Sequence, residues 1–170
     1  MAVLEIIKDP SPALRKIAKA VKKVTKEISS LIANMAETMY AAPGVGLAAP
    51  QVGEAWRIIV VDAGEGLVEF INPKVVRRAG KELGTEGCLS VPGVCGYVER
   101  AAKVKVKGLG KNGKVKELEA EGLLARALQH EIDHLDGILF IDKMVPIAEV
   151  EEKGPDASVQ RPEEQECQPI

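Results

Sequence analysis

KVKVKGLGKNGKVKEL (103–118) followed by GLLARALQHEIDHLD (122–136) decides how the fold is read. The first stretch alternates polar and apolar residues through Lys103, Val104, Lys105, Val106 and Lys107, and again from Lys114 to Leu118. Period-two alternation marks strands with one buried face. Asn112-Gly113 between them predicts a hairpin, because both residue types tolerate positive φ. The second stretch changes period. Leu123, Leu124, Ala127, Leu128, Ile132 and Leu135 recur at helical spacing, and Gly137 fits a helix stop.

The rest of the chain extends this reading. Ser11-Pro12 predicts a helix start, with a short helix over 12–17. A longer helix over 26–41 follows from Ile28, Leu31, Ile32, Met35 and Met39, and Pro43-Gly44 stops it. The stretch 44–51 reads as a compact loop of small residues. Segment 56–61 is rich in β-branched residues and predicts a buried strand. One or two further strands are expected over 69–76, interrupted at Pro73. Segment 85–96 is punctuated by glycine and proline and reads as loop with short extended pieces. A strand is expected over 138–141. Strands first and one late helix suggest an α+β fold. Beyond Pro146 the chain turns rich in Glu, Gln and Pro, so 148–170 reads as an acidic, flexible tail on a catalytic domain over 1–147.

Composition narrows the function. The chain has 170 residues, enough for one domain, and 46% hydrophobic residues, enough for a core. Only 3% of residues are aromatic, which argues against a base-stacking platform. A formal charge of −2 supplies no basic field for nucleic acid or an anionic membrane, and the basic run 16–26 reads as a solvated surface. Neither a signal peptide nor a membrane-length apolar run is found. Three irregularly spaced cysteines do not form a disulfide framework, so a soluble protein of a reducing compartment, the cytoplasm, is expected.

The chemistry lies in His130-Glu131-Ile132-Asp133-His134, which holds both histidines of the chain. Four residues on a helix bring two imidazoles to one face, within reach of one ion. Glu131 can approach water at that ion. A catalytic ion takes three protein ligands and keeps one position open. Cys88, in Glu86-Gly87-Cys88-Leu89-Ser90, is the best candidate for the third: a thiolate suits zinc or ferrous iron, and the flanking glycine permits close approach. Cys95 is the rival ligand, with a packed or partly exposed thiol as its competing reading; Cys167 reads as a free thiol in the tail. An ion so held lowers the pKa of bound water to about 7. Glu131 then takes the water proton and delivers it to a leaving amine. Gln51 and backbone N–H groups near Cys88 are candidate donors to the oxyanion.

Three segments together resemble the peptide deformylase family. Gly44-Val45-Gly46-Leu47-Ala48-Ala49-Pro50-Gln51 is similar to its first motif, Glu86-Gly87-Cys88-Leu89-Ser90 to its second, and Gln129 to Gly137 to its third, in that order. The resemblance extends to about Pro146. It implies removal of the formyl group from N-formylmethionyl nascent peptides, and one divalent ion, ferrous iron natively with zinc, nickel or cobalt as substitutes. It maps metal binding onto Cys88, His130 and His134, and proton transfer onto Glu131. Oxyanion stabilisation falls to Gln51 and the Leu89 N–H, and substrate contact to Gly44, Val45, Gly46, Glu86 and Gly87. The implied fold is α+β, with antiparallel sheets around a central metal-binding helix. Transient ribosome contact belongs to the same expectation, without sequence-specific nucleic-acid binding or a membrane.

Two departures stand out. Many relatives carry an arginine near the position of Cys95, and an apolar pocket residue at that of Arg126, whose stem is expected to line an apolar wall while its charge reaches water. The tail does not read as the long ribosome-docking helix of many relatives. Two other classes compete with the hydrolase: an endopeptidase using Glu149, Glu151 or Glu152 as third ligand, and a closed structural site with Cys88 and Cys95 both bound.

Overall fold

The computed structural model describes residues 2–146, 148 and 168–170. Helix α1, Lys26–Ala41, begins at Thr25, whose hydroxyl accepts the Ile28 N–H at 3.3 Å. Ile28, Ile32, Met35 and Met39 recur along it as one buried stripe. The strands are β1 (Gly46–Ala48), β2 (Ile58–Val61), β3 (Val68–Ala79), β4 (Glu82–Cys88), β5 (Val91–Arg100), β6 (Lys103–Leu109), β7 (Val115–Glu121) and β8 (Met144–Val145). Helix α2, Gly122–Leu135, lies between β7 and β8 in the chain.

All strand pairs within the two sheets are antiparallel. One sheet has the order β1-β2-β3-β6-β7 and the other β4-β5-β8. Alternation in the sequence assigns the two faces of the larger sheet. Leu47, Ile58, Val60 and Ile71 pack with the buried stripe of α1. Ala48, Ile59, Val61, Phe70, Val104 and Val106 pack with Leu128, Ile132 and Leu135 of α2. The short strand β2 is therefore buried at every residue, with a helix on each side. A third cluster, Leu14, Cys88, Val91, Val98, Leu139 and Phe140, fills the space at the smaller sheet.

The α+β class and the helices over 26–41 and 122–135 agree with the sequence reading. Other elements differ. The expected helix over 12–17 is a 3-10 turn, Pro12–Arg15. The loop over 44–51 contains β1 and a 3-10 turn. Pro73 does not break β3; the strand continues past it with a register shift and Asn72 at φ 53°. No strand forms over 138–141, where a 3-10 turn, Phe140–Asp142, begins instead. The hairpin forms, but with Gly113 alone at positive φ and a five-residue turn closed by Gly110 and Lys114. Leu123, expected on the apolar face, is exposed.

The largest difference is 85–96. Glycine and proline there read as loop, yet β4 and β5 form a long pair. Glycine in this pair makes room. A Cβ on Gly84 would lie 2.9 Å from Arg126 Nη2, and one on Gly96 2.5 Å from Met144 Cε. Side chains from outside the pair cross the strands where no Cβ stands in their way.

Candidate metal centre and its supporting charges

Helix α2 is buried on nearly every side, so its polar residues need partners inside the protein. Gln129 finds them in Ala101: its Oε1 accepts the Ala101 N–H, and its Nε2 donates to the Ala101 carbonyl, both at 3.0 Å. His130 and His134 sit one turn apart, both under 3% exposed, with ring centroids 5.0 Å apart. Cys88 closes β4 and brings Sγ to 3.3 Å from His134 Nε2. One ligand atom from each of Cys88, His130 and His134 falls within 4.8 Å of the others, the one such cluster among the described residues. The two imidazoles of the helix and the sulfur at the end of β4 thus lie together.

The donor set fits a cation. His130 Nε2, His134 Nδ1 and both oxygens of Glu131 are buried with no hydrogen-bond partner. His134 turns its other nitrogen, Nε2, to Cys88, so the unpaired atoms at the site itself are His130 Nε2 and the two Glu131 oxygens, which are costly unless something polar meets them. A cation with bound water would engage His130 Nε2 and give the Glu131 oxygens a donor.

The surrounding charges set which nitrogen is free. Glu86 is fully buried, and both its oxygens are engaged. Oε1 accepts from His130 Nδ1 and Arg100 Nη2, each at 2.8 Å, and Oε2 from Arg100 Nε at 2.9 Å and Arg126 Nη1 at 2.7 Å. Burial alone pushes its carboxyl pKa up. The hydrogen bonds from Arg100 and His130 win, and hold it well below the usual carboxylate range. An ionised Glu86 can only accept, so His130 Nδ1 carries the proton and Nε2 presents a lone pair. Arg100 also reaches Asp133 at 2.5 Å, and Lys143 joins there at 3.0 Å. Arg126 departs from expectation. It is buried, and its guanidinium binds Glu86, the Val98 carbonyl and the Glu82 carbonyl rather than reaching water. A second cation is what a buried carboxylate with two lone-pair-rich oxygens accommodates.

Burial raises the Cys88 thiol, with Glu131 adding to it, to about 12. Burial and the Glu86 charge raise Glu131 well above its ordinary value. Burial and the neighbouring His130 push His134 down, which keeps it a neutral donor. Without a cation the pocket disfavours negative charge, and with one these directions for Cys88 and Glu131 reverse.

The remaining predicted residues surround this centre. Gln51 is fully buried. Its Oε1 accepts the Ala48 N–H at 2.9 Å, which turns its Nε2 toward Cys88 Sγ at 3.5 Å and Ser90 Oγ at 3.1 Å. A Cβ on Gly46 would lie 2.7 Å from Glu131 Oε1, so glycine is what lets β1 lie against that carboxylate. A Cβ on Gly44 would lie 2.6 Å from the Leu89 side chain. A cleft of about 590 Å³ runs along Gly87, Cys88 and Leu89 and is bordered by Ile6, Val91 and Pro169. At this cleft the Val45 N–H donates to the Pro169 carbonyl and the Gly87 carbonyl accepts the Ile170 N–H. Cys95 also borders the cleft, but it is disulfide-bonded, not the thiol expected, and takes no part in the metal cluster. Glu149, Glu151, Glu152 and Cys167 lie outside the described residues.

The family model of polypeptide deformylase matches residues 3–150. This chain belongs to the peptide deformylase family. It is 62% identical to the peptide deformylase of Halothermothrix orenii over 151 residues, 88% of this chain and 98% of that protein. The crystal structure of the Thermotoga maritima peptide deformylase superposes with a TM-score of 0.84 at 44% identity, covering 86% of this chain and all of that one. A Met-Ala-Ser-bound class I type b peptide deformylase from Acinetobacter baumannii gives 0.81 at 38% identity, over 84% of this chain and 99% of that one. As a member of the family, the chain is a metal-dependent hydrolase that removes the N-formyl group from nascent peptides. No helix among the described residues is long and apolar enough to cross a membrane.

Two outcomes follow for a deformylase built this way. If Cys88 is a ligand it would bind as thiolate, from a thiol raised to about 12. Binding at pH 7–8 therefore releases about one proton per ion, or two if Glu131 ionises as well, and affinity rises with pH; calorimetry in buffers of different ionisation enthalpy reads the count. Replacing Glu86 by alanine removes the acceptor that orients His130. Metal affinity then falls by about 10- to 100-fold, measured by chelator competition.

Proposed function

We propose that Cys88, His130 and His134 hold a ferrous ion in the cell, and that Glu131 moves the proton in formyl-amide hydrolysis. The observation that carries this reading is the Glu131 carboxylate: fully buried, without a partner, 4.0 Å from His130 Nε2 and pressed against Gly46. When bound, a divalent cation supplies Lewis acidity, which polarises the substrate carbonyl and acidifies water. One thiolate and two imidazoles suit iron, zinc, nickel and cobalt; the family resemblance favours iron.

The chain's own residues do the rest. Glu131 accepts the proton of the attacking water and returns it to the departing amine. Its raised affinity for a proton suits the second half of that exchange. Gln51, with its carbonyl fixed by Ala48 and one N–H given to Ser90, turns the N–H that now faces Cys88 to the oxygen where negative charge grows, and the backbone N–H of Leu89 is the second donor. Gly44, Val45, Gly46 and Gly87 offer close backbone to an extended substrate. Glu86, grouped with them by sequence, is assigned here to holding His130, because both its oxygens are occupied. The substrate is the formyl-methionyl end of a nascent peptide. The catalytic unit is residues 1–147, in keeping with the matched span of 3–150. Action in the cytoplasm, beside the ribosome and through contact with the emerging peptide, is supported by the substrate alone, since the Cys95 disulfide contradicts the reducing compartment expected from the cysteines; a net charge of −2 supports a protein that does not hold nucleic acid itself.

Glu131→Ala tests the assignment. The variant retains its metal by elemental analysis and loses about 10²- to 10⁴-fold in formate release from a formyl-Met peptide. Turnover comparable to the parent would contradict the role given to Glu131.

A further inference from the structure

Among the described residues, each sheet ends near the cleft in a strand paired on one side only. β1 is the last strand of the larger sheet, and β4 the last of the smaller. Such edges present unpaired N–H and C=O groups that accept an added extended peptide. Segment 168–170 lies between them. The Val45 N–H, just before β1, donates to the Pro169 carbonyl at 3.4 Å. The Ile170 N–H donates to the Gly87 carbonyl of β4 at 3.0 Å. Two neighbouring residues are thus bonded to opposite walls, one bond to each. The side chain of Ile170 is 2% exposed and joins the apolar cluster that includes Leu128, two residues before His130, and Ile132, one residue after Glu131. Pro169 lines the cleft beside Gly87 and Cys88.

We propose that the cleft is a docking site for this chain's own segment 168–170, which competes with substrate for it. The competition rests on the reading that Val45 and Gly87 bind substrate backbone; the docking does not. Pairing to Val45 and Gly87 uses the same backbone groups that an extended peptide requires, and Ile170 fills apolar space beside them. The docked segment lowers the fraction of molecules ready to bind, and the apparent KM rises by the inverse of that fraction while kcat is unchanged. With the segment docked nine-tenths of the time, the rise is about tenfold.

Two measurements on the full chain test this. In the zinc-loaded, isotope-labelled protein the amide of Ile170 exchanges with solvent far more slowly than in a free peptide, and its methyl groups show contacts to Leu128 and Val45. Exchange at the free-peptide rate without such contacts overturns the docking. Ile170→Asp places a charge in an apolar pocket and releases the segment. Its KM for a formyl-Met peptide falls several-fold at unchanged kcat, with thermal unfolding confirming the fold, while Ile170→Val keeps the parent KM. An unchanged KM in Ile170→Asp, with formate released at the parent rate, overturns the competition and leaves the deformylase reading intact. A protected Ile170 in a protein that releases no formate sinks the deformylase reading and leaves the docking standing.

Discussion

The carboxylate of Glu86 sits where three elements meet, and the geometry of the centre depends on its charge. It leaves β4, takes Arg100 from β5, Arg126 from α2 and the His130 ring from one turn further along the helix. A lone buried carboxylate is destabilising by several kcal/mol, and losing any one partner of such a group returns part of that cost. The set therefore holds together or fails together. It fixes the rotation of α2 against the smaller sheet, and with it the distance between Cys88 on the strand and the two imidazoles on the helix.

From that constraint the chemistry follows by steps. An ionised Glu86 specifies the proton on His130 Nδ1 and leaves Nε2 facing the sulfur and His134. The rest of the enclosure is poor in counter-charge. Cys88 and Glu131 both resist ionisation there, and the unpaired oxygens of Glu131 have no protein donor. A divalent cation with bound water would relieve all of these at once, which would couple the stability of the enclosure to its readiness for hydrolysis. Gly46 admits Glu131 to the centre because it lacks a Cβ, and Gln51 is locked by Ala48 before any substrate arrives. Little of the site has to rearrange for reaction, which is the condition under which fixed dipoles are most effective.

Much of this was legible in the sequence, for reasons that differ between residues. His130 and His134 share a face because the helical period places them there, and the apolar residues around them reveal that period independently. Cys88 was found by its motif and by the need for a third ligand. The pairing of Glu86 with Arg100 and Arg126 was not legible. These residues stand 14 and 40 apart in the chain, and no local period records a charge pair made between sheet and helix. Surface exposure is the usual fate of arginine, and nothing local to Arg126 marks its charge as buried. The strands over 82–100 were hidden by glycines that serve packing: Gly84 clears a path for Arg126, and Gly96 for Met144. The docking of Ile170 was hidden as well, because a proline-containing acidic stretch carries the composition of a solvated tail.

All of this rests on one sulfur and two ring nitrogens meeting around a single ion with a position left to solvent. X-ray absorption at the metal edge of the loaded full chain counts those neighbours directly. One sulfur and two imidazole nitrogens, completed by an oxygen that exchanges with solvent, is the predicted shell. Two sulfurs, or a shell completed by the protein with no exchangeable oxygen, would contradict it.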